Sequence, residues 1–331
     1  MNTRLLLTAG AVALLAGCAG ASHDAASMPP ATGSSQLTVR GVLPTGNVVR
    51  FAGPARVLSQ LAPIGPARAR VEKDLFVSDT GSNVFELKNK TYHEVGDITS
   101  GISGSDGVFV DKKGNVYVAN VDAADVTEYK RGKGSPICTY SASLRDPITV
   151  TVDNSGNVYV ADFNSLQNPG YIDKYAQCSN TVAKQYDVSS GPEGVAVDSS
   201  GDIFVSYFGS AGGNFEEFVG GSTTPTALGA TVSSPAGLIL DKHGNLIADD
   251  QAGNIDVIAP PYGSATVLES GLSDPFHCAL DKKENLLFNA NHGSTTVTVY
   301  KYPSGSLIYT IGTSNGIDGA EGVGESPDAV F

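Results

Sequence analysis

The segment GVFVDKKGNVYVAN, residues 107–120, decides the fold because the chain repeats it. Close variants begin at Ile148, Gly194 and Gly237, and a weaker one begins at His277. The aspartates that these copies share are separated by 42, 45, 43 and 40 residues. A period of that size is typical of a solenoid, a propeller or an array.

Each copy joins two apolar runs through Asp-x-x-Gly-Asn or a close variant. Asp and Asn side chains stabilise tight turns, and Gly adopts positive φ without strain. Residues 111–115 are therefore predicted to form a hairpin turn between two strands. A third strand is expected at residues 126–129, followed by a less regular fourth. Four antiparallel strands in 40–45 residues form one propeller blade.

The two ends of the repeat region indicate a closed ring. Residues 74–79 match a second strand with no first strand before them, and residues 326–331 match a first strand. The sequence thus predicts an all-β protein, a six-bladed propeller in which residues 326–331 pair into blade one. Such closure removes the two sheet edges at the chain termini.

These motifs support a family resemblance. The pattern Pro-x-Gly-(apolar)3-Asp-x-x-Gly-Asn resembles that of the NHL-type six-bladed propellers and, more loosely, that of the gluconolactonase and SMP-30 family. The resemblance covers about residues 73–331. It implies the fold and no particular activity, because propellers host many functions.

The N-terminal residues read as an export signal. Arg4 precedes twelve apolar residues, a run that suits a signal peptide and is too short to cross a bilayer as a helix. The run ends in Leu-Ala-Gly-Cys18, which resembles a bacterial lipobox and predicts a lipid on Cys18. The alternative is ordinary cleavage after Gly20 or Ala21, which would leave export without an anchor. Either form implies the cell envelope, and acylation implies membrane attachment.

Four segments follow from this interpretation. Residues 1–17 are the signal peptide, 18–36 a polar tether, 37–72 an irregular segment containing Pro and Arg, and 73–331 the propeller.

The formal net charge is −13, which argues against nucleic acid as a partner because phosphates require Lys and Arg. The expected partner of an exported protein of this kind is an extracellular protein, a peptide or a glycan.

Three cysteines remain once Cys18 is assigned to a lipid. Cys278 falls in a first strand, where a buried thiol is expected. Cys138 and Cys178 fall in the outer parts of adjacent blades, so a disulfide is one expectation in an oxidising compartment. Their different offsets from the third strand leave open that the geometry forbids it.

Residues at the start of each first strand and at the end of each second strand should surround one mouth of the central channel. The sequence places Asp328, Asp106, Ile148, Glu193, Ala236 and Phe276 at the six starts. It places Asp79, Asn120, Asp162, Tyr207, Asp250 and Asn291 at the six ends. The end residues can either cap turns or face a ligand.

Two sets of residues at this mouth could carry chemistry. Asp106, Glu193 and Asp328 supply carboxylate oxygens, which suit Ca²⁺, and the gluconolactonase resemblance implies a divalent metal at such positions. Asn is missing from all six starts, a departure from that family's pattern. His277 and His292 could bind a metal or transfer protons, or they could be one packed ring and one loop residue.

The leading hypothesis is an exported, lipid-anchored binding module that uses the mouth of its channel. Tyr207, Phe208 and Phe276 are expected as apolar contacts there. The alternatives are a divalent-metal-dependent hydrolase or lactonase and a structural protein of the cell envelope. The sequence lacks the nucleophile elbow, the zinc-protease motif and the phosphate-binding loop that would indicate an enzyme directly.

Overall fold

The computed structural model describes residues 74–326 apart from 80, 165–168 and 210–211, together with the backbone of 41–42 and 48–49. By its contacts the chain divides into two compact units, Met1–Gly65 and Pro66–Phe331. The described part of the first unit is an antiparallel pair, β1 (Gly41–Val42) and β2 (Val48–Val49). Cys18 and the predicted signal peptide, tether and Pro/Arg-containing segment lie outside the described residues, apart from this pair.

The described residues of the second unit form twenty-four strands. The first ten are β3 (Asp74–Ser78), β4 (Val84–Lys88), β5 (Glu94–Ile98), β6 (Ser105–Val110), β7 (Val116–Asn120), β8 (Asp125–Tyr129), β9 (Cys138–Tyr140), β10 (Pro147–Val152), β11 (Val158–Asp162) and β12 (Tyr171–Tyr175). The next seven are β13 (Val182–Asp187), β14 (Gly191–Val197), β15 (Ile203–Gly209), β16 (Gly212–Phe218), β17 (Thr226–Val232), β18 (Pro235–Leu240) and β19 (Leu246–Asp250). The last seven are β20 (Asn254–Ile258), β21 (Thr266–Ser270), β22 (Pro275–Leu280), β23 (Leu286–Asn291), β24 (Thr296–Lys301), β25 (Ser306–Ile311) and β26 (Val323–Glu325).

These strands form six four-stranded antiparallel blades, as the sequence predicts. Blades two to six take consecutive strands, from β6–β9 to β22–β25. Blade one has the order β26-β3-β4-β5, so a C-terminal strand closes the ring. Short helical turns at Lys130–Gly132, Val219–Gly221, His292–Ser294 and Thr313–Asn315 connect some strands.

The predicted position of the closing strand is wrong by a few residues. The strand is Val323–Glu325, not 326–331, and its register pairs Val323 with Val77 and Glu325 with Leu75. The amide of Ser326 adds one hydrogen bond, 3.0 Å long, to the carbonyl of Asp74. The segment 320–325 reads AEGVGE and matches PEGVAV at 192–197 as well as 326–331 does. Its charged last residue is unusual for a first strand, so the sequence pattern favoured the later segment.

The repeated aspartates hold the turns between first and second strands. Asp111 Oδ1 accepts the amides of Lys113 and Asn115 at 2.7 and 2.8 Å. Asp153, Asp198 and Asp241 make the corresponding bonds in later blades, and Asp281 accepts the amides four and five residues later. These turns lie on one face of the ring, which we call the turn face.

Apolar clusters lie between neighbouring blades. One example joins Leu75 and Val77 of blade one to Phe288 and Val299 of blade six, with Val323 beside them. The ring is thus held by contacts between blades as well as within them.

In the outer part of blades two and three, Cys138 and Cys178 are joined as a disulfide, with Cα atoms 5.1 Å apart. Cys278 is a buried free thiol.

In the described residues we find no helix with the length and hydropathy needed to cross a membrane.

Candidate functional site

The first strands of blades two to six carry a register shift at their start. The shifts fall between Ser105 and Val108, Pro147 and Thr149, Pro192 and Gly194, Pro235 and Leu238, and Pro275 and His277. Such bulges leave a residue out of the hydrogen-bonded ladder and redirect its side chain. The residues left out include Asp106, Ile148, Glu193, Ala236 and Phe276, which the sequence places at the mouth.

The sixth mouth residue is Glu321, not Asp328. Glu321-Gly322-Val323 of the closing segment corresponds to Glu193-Gly194-Val195 of blade four. Asp328 lies outside the described residues, so the metal site predicted from Asp106, Glu193 and Asp328 stays a prediction. Three of the six positions still carry acids, in blades one, two and four.

The backbone beside each bulge fixes this arrangement. A Cβ on Gly107 would lie 2.6 Å from the carbonyl of Ile148, and a Cβ on Gly194 would lie 2.6 Å from the carbonyl of Ala236. Each of these glycines thus lets the bulge carbonyl of the next blade approach closely. Hydroxyl groups also donate hydrogen bonds to bulge carbonyls of the next blade. For example, Thr149 Oγ1 donates to the carbonyl of Glu193 at 2.9 Å.

His277 occupies the position that is glycine in blades one, two, four and five. Its ring lies next to Gly107, whose Cβ, if present, would be 3.3 Å from Cε1 of the imidazole. His277 Nε2 is 3.5 Å from Asp106 Oδ1, and His277 is 7% exposed. Neither atom has another hydrogen-bond partner among the described residues. Buried polar atoms of this kind are rare without a bound water or ligand.

A second imidazole–carboxylate pair lies alongside. His292 Nδ1 is 2.5 Å from Glu321 Oε1, and the His292 side chain is partly exposed. The ring of Phe276 lies between the two imidazoles, with centroids 5.2 Å from His277 and 6.2 Å from His292. The structure therefore brings both predicted histidines to the mouth, each beside an acid from another blade.

The three acids resist ionisation in this setting. Burial, with a contribution from the charge of Asp106, raises the pKa of Glu193 to about 8. Burial also raises the pKa of Asp106, which His277 partly lowers. The pKa of Glu321 is raised by burial and by Asp106, and His292 lowers it in part. Because the three carboxyls lie around one mouth, any cation that enters would favour their ionised forms.

A further acid lies beneath the mouth, and the sequence analysis did not single it out. Asp249 is fully buried, and its Oδ1 accepts a hydrogen bond from Asn289 Nδ2 at 2.5 Å. Burial raises its pKa to about 7, and hydrogen bonding from Cys278 and the proximity of His277 lower it in part. One feature of the sequence could have indicated Asp249: it stands at a second-strand position that is Ala or Ser in the other blades.

The predicted second-strand residues hold loops rather than face a ligand. Asp162 Oδ1 accepts the amides of Arg145 and Asp146, and Asp250 accepts those of Ser233 and Ser234. The same role is played by Asp79, Asn120 and Asn291, through turn amides, side chains and a strand carbonyl. Tyr207 is buried in an apolar cluster, and Phe208 is half-buried next to it. Of the two roles predicted for the second-strand residues, turn capping therefore accounts for the contacts of these acids and amides.

The face around the mouth is strongly acidic. In its described loops, which join second to third strands and fourth to first strands, Arg145 is the one Lys or Arg. The other Lys and Arg residues of the described part lie in strands or in loops of the turn face. The loops near the mouth contain several acids, including Asp79, Asp122, Asp146, Asp274 and Asp318. A field of this sign concentrates cations at the mouth.

The mouth does not present a preformed metal centre. Within the described residues, the one group of three His, Cys, Asp or Glu ligand atoms lying within 4.8 Å of one another is Glu128, Cys138 and Cys178. There Glu128 accepts hydrogen bonds from Asn115 and Tyr140, and the two sulfurs are joined to each other. That group is accounted for by the disulfide and its hydrogen bonds. Asp106, Glu193 and Glu321 stand further apart than a single ion requires.

Comparison with known proteins supports the fold. No family model and no curated protein matches the sequence. Among solved structures, a chain of a nidogen–laminin complex aligns with a TM-score of 0.63 and 17% identity, over 76% of this chain and 98% of that one.

Two bacterial structures give similar results. A gluconolactonase from Xanthomonas campestris aligns with a TM-score of 0.55 and 15% identity, over 66% of this chain and 80% of that one. A functionally unknown protein from Desulfotomaculum acetoxidans aligns with a TM-score of 0.57 and 15% identity, over 77% and 98%. At such identities the likeness shows a shared six-bladed fold and nothing about activity.

Proposed function

We propose that this chain is a binding module that captures a positively charged ligand at the mouth of its propeller. One observation carries the proposal: acids from three blades, Asp106, Glu193 and Glu321, surround the mouth without a Lys or Arg beside them in the described residues. Charges in partly buried sites are normally paired. A cationic group from a partner would supply the missing charge.

The second part of the proposal concerns location. The predicted lipid on Cys18 would place the ring outside the cytoplasm and tether it to a membrane, where its ligand would be an extracellular protein, a peptide or an aminated glycan. Membrane fractionation tests this directly. The wild-type chain should sediment with membranes after export. A Cys18→Ser variant should lack the lipid, whether it is exported or retained.

Binding is tested with a peptide of alternating Lys and Gly, measured by titration calorimetry. The mouth variant carries Asp106→Asn, Glu193→Gln and Glu321→Gln. A control variant carries Glu94→Gln, Asp97→Asn and Asp187→Asn, three exposed acids of the outermost strands β5 and β13. Both variants lose three potential negative charges, so they differ in position and not in overall charge.

The mouth variant should bind the peptide at least tenfold more weakly, about 1.4 kcal/mol, and the control should change by less than about twofold. An equal loss in both variants would show non-specific attraction and overturn the proposal. Thermal melts in EDTA and in excess Ca²⁺ complete the test. A Ca²⁺-dependent rise in Tm that only the mouth variant loses would instead favour a metal-dependent hydrolase.

A further inference from the structure

We infer that the mouth selects one primary ammonium group, such as a lysine side chain, in preference to a guanidinium group. This inference rests on the proposed function, and it specifies the chemistry of the ligand. It depends on three features: the pair formed by His277 and Asp106, the apolar residues among the acids, and the burial of His277.

The first feature is the pair formed by His277 and Asp106. His277 Nε2 and Asp106 Oδ1 lie 3.5 Å apart, at the outer limit of a hydrogen bond, and neither has another hydrogen-bond partner among the described residues. A nitrogen placed about 2.8 Å from each atom would make two ordinary hydrogen bonds at once. An ammonium carries three hydrogens that diverge from one atom, so the third can point towards the other acids. The imidazole accepts such a bond in its neutral form.

The second feature is the presence of apolar residues among the acids of the mouth. Asp106 and Glu321 come from adjacent blades, and Glu193 comes from blade four, opposite blade one. Ile148, Ala236 and Phe276 occupy the positions between and beside them. The methylene chain of a lysine can pack against such apolar groups while its charged end binds the acids.

The third feature is the burial of His277. Its side chain is nearly buried and lies against the backbone of Gly107. An ammonium is a compact point charge, whereas a guanidinium is a wide planar fork that binds a carboxylate through two parallel bonds. Because one imidazole and one carboxylate converge from different blades, they do not offer the two parallel acceptors that the fork requires.

The test uses three blocked amino acids: the Nα-acetyl methylamides of lysine, arginine and norleucine. Norleucine has a similar chain length without the charge. Affinities are measured by calorimetry or by ligand-observed NMR on the full chain. The lysine compound should bind at least tenfold more tightly than the arginine compound, and the norleucine compound should not bind measurably.

A His277→Phe variant keeps an aromatic ring and removes the acceptor nitrogen. It should bind the lysine compound at least tenfold more weakly, with an unchanged circular-dichroism spectrum as the check on folding. If this variant does not fold, the comparison of the three compounds on the wild-type chain still decides the question.

The outcomes separate this inference from the proposed function. If the Lys/Gly peptide requires the mouth acids but the arginine compound binds as tightly as the lysine compound, the binding module stands and the ammonium preference is wrong. Equal binding of the norleucine compound, or unchanged binding by the folded His277→Phe variant, would also overturn the preference. If neither the peptide nor any compound binds, both proposals fall.

Discussion

His277 Nε2 of blade six lies 3.5 Å from Asp106 Oδ1 of blade two. These blades are not neighbours in the ring, because blade one lies between them. The contact therefore reaches past the mouth residue of blade one, Glu321, which pairs with His292. It joins blade six to blade two. Blade one, which lies between them, combines strands from both ends of the propeller sequence.

Closure by β26 leads to a prediction about truncation. Deleting 323–331 removes the strand that pairs with β3 and exposes the apolar cluster between blades six and one. We expect Tm to fall by more than about 10 °C, since about 1 kcal/mol corresponds to about 2–4 °C in a domain of this size. Deleting only 327–331 keeps every described bond of the closing strand. Similar melting of the two truncated proteins would contradict the assigned strand.

Gly322 should tolerate no side chain. A Cβ there would collide with the carbonyl of Asp106 and lie 2.8 Å from Ser78 Oγ. We expect Gly322→Ala to lower the free energy of unfolding by about 1–3 kcal/mol through overpacking. Gly263→Ala is the matched control, because its Cβ would meet nothing within 4 Å, and its effect should stay within about 1 kcal/mol. Denaturant titrations of both variants would show whether the difference exists.

The raised pKa of Glu193 predicts a pH-dependent stability. The ordinary value is 4.5 and the folded value is about 8, so the folded chain binds an additional proton between these pH values. Stability from this group is present below pH 4.5 and is lost as the pH rises through 8. At pH 9 we expect Glu193→Gln to melt about 2–4 °C above wild type, which corresponds to about 1 kcal/mol.

At pH 4 the two proteins should melt together, because Glu193 is then protonated in both the folded and the unfolded chain. A gap in Tm that stayed constant from pH 4 to pH 9 would point to a packing effect instead. Asp106, whose pKa is also raised by burial, interacts with Glu193, so the pH dependence of the difference in Tm reports Glu193 together with this interaction.

The same pKa predicts proton release on binding. A cation at the mouth favours the ionised form of Glu193, so at pH 7.5 part of its bound proton should leave as the Lys/Gly peptide binds. Calorimetry in phosphate and in Tris, whose ionisation enthalpies differ, would reveal the release as a buffer-dependent heat. The release should disappear in Glu193→Gln. A heat that did not depend on the buffer would mean that Glu193 does not respond to the ligand.

The Cys138–Cys178 disulfide connects the outer parts of blades two and three. Its closed segment spans a sequence separation of 40 residues, for which about 2–4 kcal/mol of stabilisation is usual. Cys138→Ser with Cys178→Ser should therefore melt below the oxidised wild-type protein and be insensitive to reductant. Cys278→Ser is the control, since that thiol is not bridged. Iodoacetamide labelling of Cys138 without reductant would contradict the bridge.

The sequence predicted the scaffold well because the repeat encodes it locally. Each Asp-x-x-Gly-Asn turn uses its own aspartate to bind amides two and four residues later, so the hairpins could be assigned without tertiary information. The closing strand was misplaced because Ser326 and the following residues also match the pattern, and because Gly324 and Glu325 are unusual for a buried strand. Only pairing with β3 identifies the correct segment.

The mouth was predicted in part. Asp106, Glu193, Phe276 and His277 could be placed because they stand at fixed distances from the turn aspartates. Glu321 was missed together with the closing strand, and Asp249 was missed because its burial depends on Asn289 from another blade. The pairing of each histidine with an acid from another blade depends on ring geometry, which no local pattern in the sequence records.

The bulges also have a consequence for the divergence of this fold. A residue outside the hydrogen-bonded ladder can be replaced without disturbing strand pairing, while the neighbouring glycine and hydroxyl keep the backbone in place. The six mouth positions therefore vary independently of the scaffold, and here they hold acids, aliphatic residues and an aromatic ring. A ring built this way can acquire a new ligand preference through single substitutions, with its folding stability largely preserved.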